Sequence, residues 1–393
     1  MRKSIGEIIL AIAFVSIIFG FGMWSLLKED DSSSVLENRK LSHRPDATVE
    51  NLFSGEYFKQ FETYYNDQFP LRSLWIEKKT ELEKTAFQQR FIKSTYISKD
   101  GYLIPTLVSN DKQRSPEEIA KRIKSFAANI NNKKVDVYFA LVPNKTTMME
   151  DKLPTYIRSE ANVLSDRLID ALSNNNNIVP LDIRDTIKPH MNEENLYFYT
   201  DHHWKPRAAY YAYASIINKI KEKHSIVSPK HLNDFDWEES EVEFLGSDAR
   251  TTTEAYVRNP DTITIVKPAF QEQELDICFN GKCGRSFNDE RYLKLKDKYT
   301  NRYKTYFSGD VDEAVIQNPN IKDDQKLLIL KDSYANPILQ FIARNFSETR
   351  VLDLRHYKEN SIYQYIEENN IDYVLFIHNI NSLVTTPSLT NIK

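Results

Sequence analysis

The sequence predicts an α/β protein: a largely parallel sheet covered on both faces by helices, with a β-rich insertion at about 234–300 and one N-terminal transmembrane helix in front. Three observations carry this expectation. From about residue 95, short apolar runs alternate with helical runs, the rhythm of strands joined by crossover helices. Between about 234 and 300 that rhythm gives way to Thr, Val and turn residues. Residues 8–27 carry no charge, a stretch long enough to cross ~30 Å of hydrocarbon as a helix.

Arg2 and Lys3 precede the apolar stretch, and Lys28-Glu29-Asp30-Asp31 follows it. Positive charge on the N-terminal side places the large C-terminal part outside the cytoplasm. The stretch is longer than a signal-peptide core and no A-x-A site follows, so an uncleaved anchor is expected over a cleaved signal. The expected segments are a cytoplasmic tip and anchor over 1–28, a stalk and helical lead-in over 29–92, and the main domain over 93–393. In the lead-in, Leu52, Phe53, Tyr57, Phe58, Phe61, Tyr64, Tyr65 and Phe69 recur at helical spacing within 47–89, until Pro70-Leu71-Arg72 breaks the run. Strands are then expected at 102–104, 135–142, 178–181, 196–199, 326–330, 350–354 and 373–377. Helices are expected at 162–173, 206–223, 337–346 and 361–369, with another opened by Ser115-Pro116-Glu117-Glu118, a capping box with proline in its first turn. Residues 174–177 form a polar loop.

With 41% hydrophobic and 12% aromatic residues, the chain has enough apolar surface for a large core, which excludes wholesale disorder. A net charge of −4 is not the footprint of a nucleic-acid-binding protein. Only 9 glycines, and no GxxxxGK[ST] or GxGxxG pattern, speak against a phosphate-cradling loop. Two cysteines rule out a disulfide-rich scaffold and a four-cysteine zinc site. Cys278 and Cys283 flank Phe279-Asn280-Gly281-Lys282, and Asn-Gly favours a two-residue hairpin. The cysteines then face each other at a non-hydrogen-bonded pair, so an exported chain is expected to close a cross-strand disulfide as a structural staple. A redox role is the weaker reading, since no C-x-x-C occurs.

Two stretches hold residues suited to covalent chemistry. Tyr199-Thr200-Asp201-His202-His203-Trp204 lies between an expected strand and the helix that Pro206 helps start, where open α/β sheets collect their sites. An acid two residues from a histidine can hold one imidazole nitrogen and support the imidazolium. Lys331-Asp332-Ser333-Tyr334 ends the apolar run from Leu327, so a serine sits at the sheet edge before a helix. Together these stretches supply nucleophile, base and orienting acid. Other uses of the same residues are helix capping by Ser333 and Asp201, and metal binding by the histidine pair with Asp201. Adjacent residues seldom point the same way and no H-E-x-x-H occurs, so no metal is expected.

Thr200-Asp201-His202-His203-Trp204 resembles the motif of the DHHW protein family, itself similar to the SGNH-hydrolase-like alginate O-acetylation proteins AlgJ and AlgX, which carry T-D-x-H-W. Further matching stretches, in order, are Glu37-Asn38-Arg39, Asp67-Gln68-Phe69-Pro70-Leu71-Arg72, Asp100-Gly101-Tyr102-Leu103, Val142-Pro143-Asn144-Lys145, Phe244-Leu245-Gly246-Ser247, Lys331-Asp332-Ser333-Tyr334-Ala335-Asn336 and Asp353-Leu354-Arg355. The resemblance covers nearly the whole chain after the apolar stretch. It implies a circularly permuted SGNH-type three-layer αβα fold with a D-x-H…S triad: Asp201 orienting, His203 the base, Ser333 the nucleophile. His202 takes the variable middle place, with a supporting or substrate-facing role. Tyr334 and Asn336 are candidate oxyanion contacts, and Lys145 and Arg250 candidate polysaccharide contacts. Packing, capping and solvated charge are the plainer uses of these four. Asn379 falls roughly where an SGNH-type asparagine lies, though a loop turn is the simpler reading, and Tyr306 and Gly309 match a family Y-F-x-G stretch. Asp332, beside the serine, discourages attack unless it points away.

The function implied is O-acyl transfer, O-acetyl in the leading reading, to a cell-envelope or secreted polysaccharide through an acyl-serine. Acetyl-CoA is cytoplasmic, so an external domain needs the acyl group handed across the membrane. A polytopic membrane acyltransferase of the MBOAT type is the implied supplier, and no cofactor is required. A carbohydrate esterase uses the same triad with water as acceptor. A non-catalytic glycan-binding or assembly subunit is the reading from another class.

Overall fold

The computed structural model describes residues 5–130, 135–175, 177–226 and 228–392. Two compact units are present: Arg90–Thr251 with Val257–Lys393, and Met1–Gln89 with Thr252–Tyr256.

The larger unit is built on a seven-stranded sheet. In spatial order its strands are Asp276–Phe279, Glu313–Gln317, Glu348–Leu352, Lys326–Lys331, Tyr373–His378, Asp136–Leu141 and Val179–Asp182. The last five pair in parallel, and the first two add antiparallel strands at one edge. Period-two alternation sends successive side chains to opposite faces. Tyr138, Ala140, Leu327, Ile329, Leu375 and Ile377 enter one core with the helix Pro206–Lys221. Val137, Phe139, Leu328, Leu330, Val374 and Phe376 enter the other with Pro116–Ile130, Ala161–Ser173 and Ile362–Glu368. Burying each large apolar side chain contributes about 1.5–3 kcal/mol, which explains strands with almost no polar residue in the middle of the sheet.

Most expected elements lie within a residue or two of these bounds. The helix after Ser115 is Pro116–Ile130, and Ser115 Oγ accepts from the Glu118 N–H at 3.2 Å. The strand expected at 196–199 is a correction. Tyr197 makes only a single bridge with Trp204, and Phe198 N–H and Lys205 N–H donate to His203 and Leu196 carbonyls. The chain therefore doubles back as a tight loop, with Leu196, Tyr197 and Phe198 all fully buried. The helix expected at 337–346 is shorter, Leu339–Ile342 followed by a 3-10 turn. Within 234–300, Phe235–Glu239 pairs with Thr264–Pro268, whereas Asp276–Phe279 joins the main sheet. Phe279 and Lys282 form the hydrogen-bonded pair of an Asn280-Gly281 turn with positive φ at both residues, and Cys278 and Cys283 are disulfide-bonded. Of the polar loop 174–177, residue 176 lies outside the described residues.

In the smaller unit, Ile5–Leu27 is one helix, and Ile5–Ser25 is long and apolar enough to cross a membrane. Arg2 and Lys3, on which the expected orientation rests, lie outside the described residues. The single run expected over 47–89 is three helices, Val49–Ser54, Glu56–Asp67 and Arg72–Phe87. Gly55 (φ 79°) is the left-handed cap that ends the first helix, and Leu71 (φ 59°), after Pro70, is the left-handed residue from which the third helix starts. Two of the matched stretches lock together here. The Arg39 guanidinium donates to both Asp67 carboxylate oxygens at 2.6 and 2.8 Å, and Arg72 pairs with Glu37. The Gln68 amide bridges Asp31 and Ser42 backbone groups at 2.9 to 3.0 Å.

Hydrogen bonds from Arg39, together with the Ser42 N–H, outweigh burial and hold the Asp67 carboxyl well below its usual range. A depressed carboxyl contributes stability above its ordinary pKa of ~4 and loses it as pH falls below that. Asp67→Asn is therefore expected to cost about 1–3 kcal/mol at pH 7. Denaturant melts of variant and wild type should converge as pH is lowered below ~4.

Candidate active site

The loop that carries the T-D-H-H-W residues is fixed from beneath by two buried charges. Lys145, wholly buried at the start of the short helix Lys145–Met148, donates to the carbonyls of Phe198, Tyr199 and Asp201 at 3.2, 3.3 and 2.6 Å. It also pairs with Asp248 at 2.6 Å. Asp261 accepts from the Tyr199 N–H, the Thr200 N–H and the Thr200 hydroxyl, each at 2.7 Å. Thr200 in turn accepts from the Gly246, Asp248 and Ala249 N–H groups, all at 3.0 Å. The carbonyls of Phe198, Tyr199 and Asp201 and the N–H groups of Tyr199 and Thr200 are thereby committed to one backbone path.

That path presents Asp201 and His203. Asp201 Oδ1 lies 2.5 Å from His203 Nδ1 and accepts from the His203 N–H at 3.0 Å, while Oδ2 accepts from the Ser247 N–H at 2.8 Å. Burial pushes this carboxyl up, but the charges of His203 and His202 and these hydrogen bonds prevail and hold it well below its usual range. His203 Nε2 lies 2.8 Å from Ser333 Oγ. The Tyr303 ring stacks on the His203 imidazole, centroids 3.6 Å apart and planes 8° from parallel, and its hydroxyl donates to the Ser333 carbonyl at 3.0 Å. Two elements far apart in sequence thus hold the base and serine in one line.

The serine turn follows the strand Lys326–Lys331. Asp332 faces away from His203: Oδ1 accepts from the Tyr334 N–H at 2.9 Å, and Oδ2 from the Asn379 N–H and side-chain amide at 2.9 and 2.8 Å. Burial pushes Asp332 up; its contact with His378 and these donors outweigh that and lower it. The carboxylate is therefore an anchor of the turn rather than a neighbour of the hydroxyl. Trp204, fully buried, donates from Nε1 to the Tyr334 carbonyl at 2.9 Å and so ties the two motifs together. The Ser333 backbone N–H donates to no described residue.

The structure brings Asp201, His203 and Ser333 together and places the other candidates differently. Tyr334 directs its hydroxyl to the His202 carbonyl. Asn336 belongs to another buried network, accepting from Lys331 Nζ at 2.8 Å and donating to Asp310 at 3.4 Å. Neither has a side-chain proton aimed at the serine, which corrects the oxyanion expectation for both. Lys145 is sealed under the loop and cannot reach a polysaccharide. Arg250 is half-buried and donates to the Tyr299 carbonyl at 3.3 Å. Asn379 caps the helix Ile380–Thr385 by accepting from the Ser382 N–H at 3.2 Å. His202 keeps a side chain 41% exposed, with Nδ1 2.6 Å from Ser247 Oγ. Burial, His203, Lys145 and Arg250 push His202 toward the neutral imidazole, and its exposure blunts that push. Tyr306 donates to the Thr264 carbonyl at 3.2 Å, and Gly309 (φ 90°) completes the turn that presents Asp310 to Lys331 at 3.0 Å.

Asp261 and Tyr303 were missed from sequence. Neither lies in a motif, and only the fold carries them to the loop. Gly246 was found as part of Phe244-Leu245-Gly246-Ser247, and its reason is steric: a Cβ there would lie 2.6 Å from Asp201 Cα. Asp201, His202 and His203 come within 4.8 Å of one another, as do Asp310, Asp353 and His356. In the first group both His203 nitrogens are engaged by Asp201 and Ser333. In the second, Lys331 and Arg355 neutralise the carboxylates at 2.5 to 3.4 Å. Both are arrangements for proton and ion pairing. Gly246→Ala should displace Asp201 and lower the reactivity of Ser333 toward phenylmethylsulfonyl fluoride by on the order of 10²-fold. An unchanged rate would mean that Asp201 has room to move.

Residues 108–352 match the DHHW protein family, more than half of the chain. Among solved structures, Bacillus cereus PatB1 with a sulfonyl adduct is similar at a TM-score of 0.63 and 26% identity, over 75% of this chain and 97% of that one. A DHHW family protein from Eubacterium siraeum shares the fold at a TM-score of 0.60 and 24% identity, over 76% and 95% of the two chains. The O-acetyltransferase domain of Pseudomonas putida AlgJ gives 0.41 at 12% identity, over 74% and 92%, too weak to carry an argument. No curated protein matches. The motif that lies across Lys145 and Asp261, and the family match that spans it, make this chain a member of the DHHW protein family.

Proposed function

We propose that this chain is an extracytoplasmic serine O-acyltransferase that moves an acyl group, acetyl in the leading reading, onto a cell-envelope or secreted polysaccharide. One observation carries the reading: an unbroken hydrogen-bonded line from Asp201 through His203 to Ser333, with Ser333 partly open to solvent. His203 Nε2 takes the Ser333 proton as Oγ attacks the acyl carbonyl, and Asp201 supports the imidazolium at Nδ1. The Ser333 N–H, without a partner among the described residues, supplies a donor to the oxyanion. The donor's leaving group departs with the proton from His203, leaving an acyl-serine. A sugar hydroxyl then gives its proton to His203 and attacks the ester; Ser333 Oγ recovers that proton, and the acylated sugar leaves. The sulfonyl adduct of PatB1 supports this reading, since sulfonylating reagents trap activated nucleophiles.

The wider arrangement belongs to the same proposal. The fold is a circularly permuted SGNH-type layered domain in which the paired strands Phe235–Glu239 and Thr264–Pro268 are the inserted part of the 234–300 region, and the helix Ile5–Leu27 anchors it with the N-terminus inside. Residues 29–92 are the stalk and helical lead-in. A polytopic acyltransferase of the MBOAT type supplies the acyl group from the cytoplasmic side, and the disulfide staples a hairpin in an oxidising compartment.

The test is intact-mass spectrometry of the detergent-solubilised chain incubated with p-nitrophenyl acetate. A single acetyl adduct is expected on wild type and not on Ser333→Ala, with acetyl transfer to added oligosaccharide exceeding release to water. Release to water alone would make the chain an esterase. A folded wild type that gains no adduct would sink both enzyme readings and leave the glycan-binding or assembly role.

A further inference from the structure

A pocket of about 300 Å³ opens beside His202 and Tyr334, between the Gly246-Ser247 turn and the helix Ile380–Thr385. Its lining includes Thr146, Asp248, Thr251, Asn381 and Thr385. The direction of the hydrogen bonds already made in that lining decides what it can take. Thr146 gives its hydroxyl proton to the Pro105 carbonyl at 2.6 Å, Thr251 to Ser247 at 3.1 Å and Thr385 to Asn381 at 2.6 Å. With those protons committed to backbone, the three hydroxyls offer lone pairs to anything else. Asp248 adds a carboxyl, held at 2.6 Å by the buried Lys145. Asn381 accepts from the Asn144 amide at 2.8 Å through Oδ1, which leaves its NH2 group as a donor.

Among the described residues no lysine or arginine lines this pocket. Lys145 is wholly buried beneath it, and the Arg250 guanidinium is turned to Tyr299. The Ser382 hydroxyl, whose oxygen accepts from the Asn379 amide at 2.7 Å, and the Asn381 NH2 group add donors, so the lining suits a ligand whose hydroxyls both give and take hydrogen bonds. A carboxylate, phosphate or sulfate brings only acceptors, and would meet lone pairs and the Asp248 carboxyl, whose one cation, Lys145, is already taken by that carboxyl and by three backbone carbonyls.

We propose that this pocket is the acceptor subsite of the transfer site, and that it takes an uncharged, hydroxyl-bearing sugar residue while rejecting uronates and other anionic sugars. The inference rests on the acyltransferase reading above and names the substrate class of that site. Specificity comes from Thr251 and Thr385 facing the ligand as acceptors, with Asn381 as the complementary donor, while the buried Thr146 backs the wall behind them.

The test is titration calorimetry on the detergent-solubilised full chain with cellotetraose, chitotetraose and tetragalacturonate. At least one neutral tetrasaccharide is expected to bind about tenfold or more tighter than tetragalacturonate. Thr251→Lys, checked for an unchanged melting temperature, brings an ammonium to the pocket and should strengthen tetragalacturonate binding by about fivefold or more. Tetragalacturonate binding as tightly as the neutral sugars, or no binding by any of the three, overturns the proposal. The two readings fail separately. An acetyl adduct on Ser333 with preference for the uronate sinks only the subsite; a neutral preference without any adduct sinks the transferase and leaves a neutral-glycan site.

Discussion

A single buried ammonium governs the site. Lys145 has no access to water, and its charge is tolerated only because three carbonyls of the 198–201 loop and the Asp248 carboxylate close on it. Taking such a charge out of water costs several kcal/mol, and that cost is offset only while all its partners stay in place. The carbonyls therefore cannot drift, and with them the direction of the Asp201 and His203 side chains is set. Asp261 acts on the same turn from the other side by collecting its N–H groups. One element takes the loop's acceptors, the other its donors, and the hydrogen-bonding demand of an irregular buried segment is met.

The serine half follows the same logic with the signs exchanged. Asp332 is a buried anion whose oxygens are taken by the Tyr334 and Asn379 donors, and Lys331, one residue earlier, is a buried cation between Asp310, Asp353 and Asn336. Consecutive residues of opposite charge point to opposite sides of the strand end, and the serine turn is pinned between them. Trp204 and Tyr303 join the halves, the first through the Tyr334 carbonyl and the second through the Ser333 carbonyl. Breaking a buried pair of this kind leaves an uncompensated charge, so the site is expected to be stiff at rest.

The central strands were legible because a sheet buried on both faces leaves a nearly continuous apolar signature, as in Leu327-Leu328-Ile329-Leu330. The Asn280-Gly281 turn was legible because few residues adopt two successive left-handed conformations. Lys145 was misread as facing a glycan because a lysine is solvated by default, and nothing local says that carbonyls from 50 residues away will close over it. Tyr334 and Asn336 were misread because adjacency to a serine along the chain says nothing about direction once the chain turns. Residues 196–199 looked like a strand because a fully buried loop and a buried strand share one composition. Asp261 and Tyr303 carried no local signal; their roles exist only through long-range contacts.

The central claim is that the carboxylate of Asp201, held in place by this loop, sets the histidine to draw the proton from Ser333. The most direct measurement is the rate of Ser333 acylation by p-nitrophenyl acetate in Asp201→Asn against wild type, both confirmed folded by thermal melts. Asparagine keeps the shape but cannot support the imidazolium, so the rate should fall by on the order of 10³–10⁴-fold. An Asp201→Asn rate equal to wild type would contradict the account, because the hydrogen-bonded line from Asp201 to Ser333 would then have no part in activating the serine.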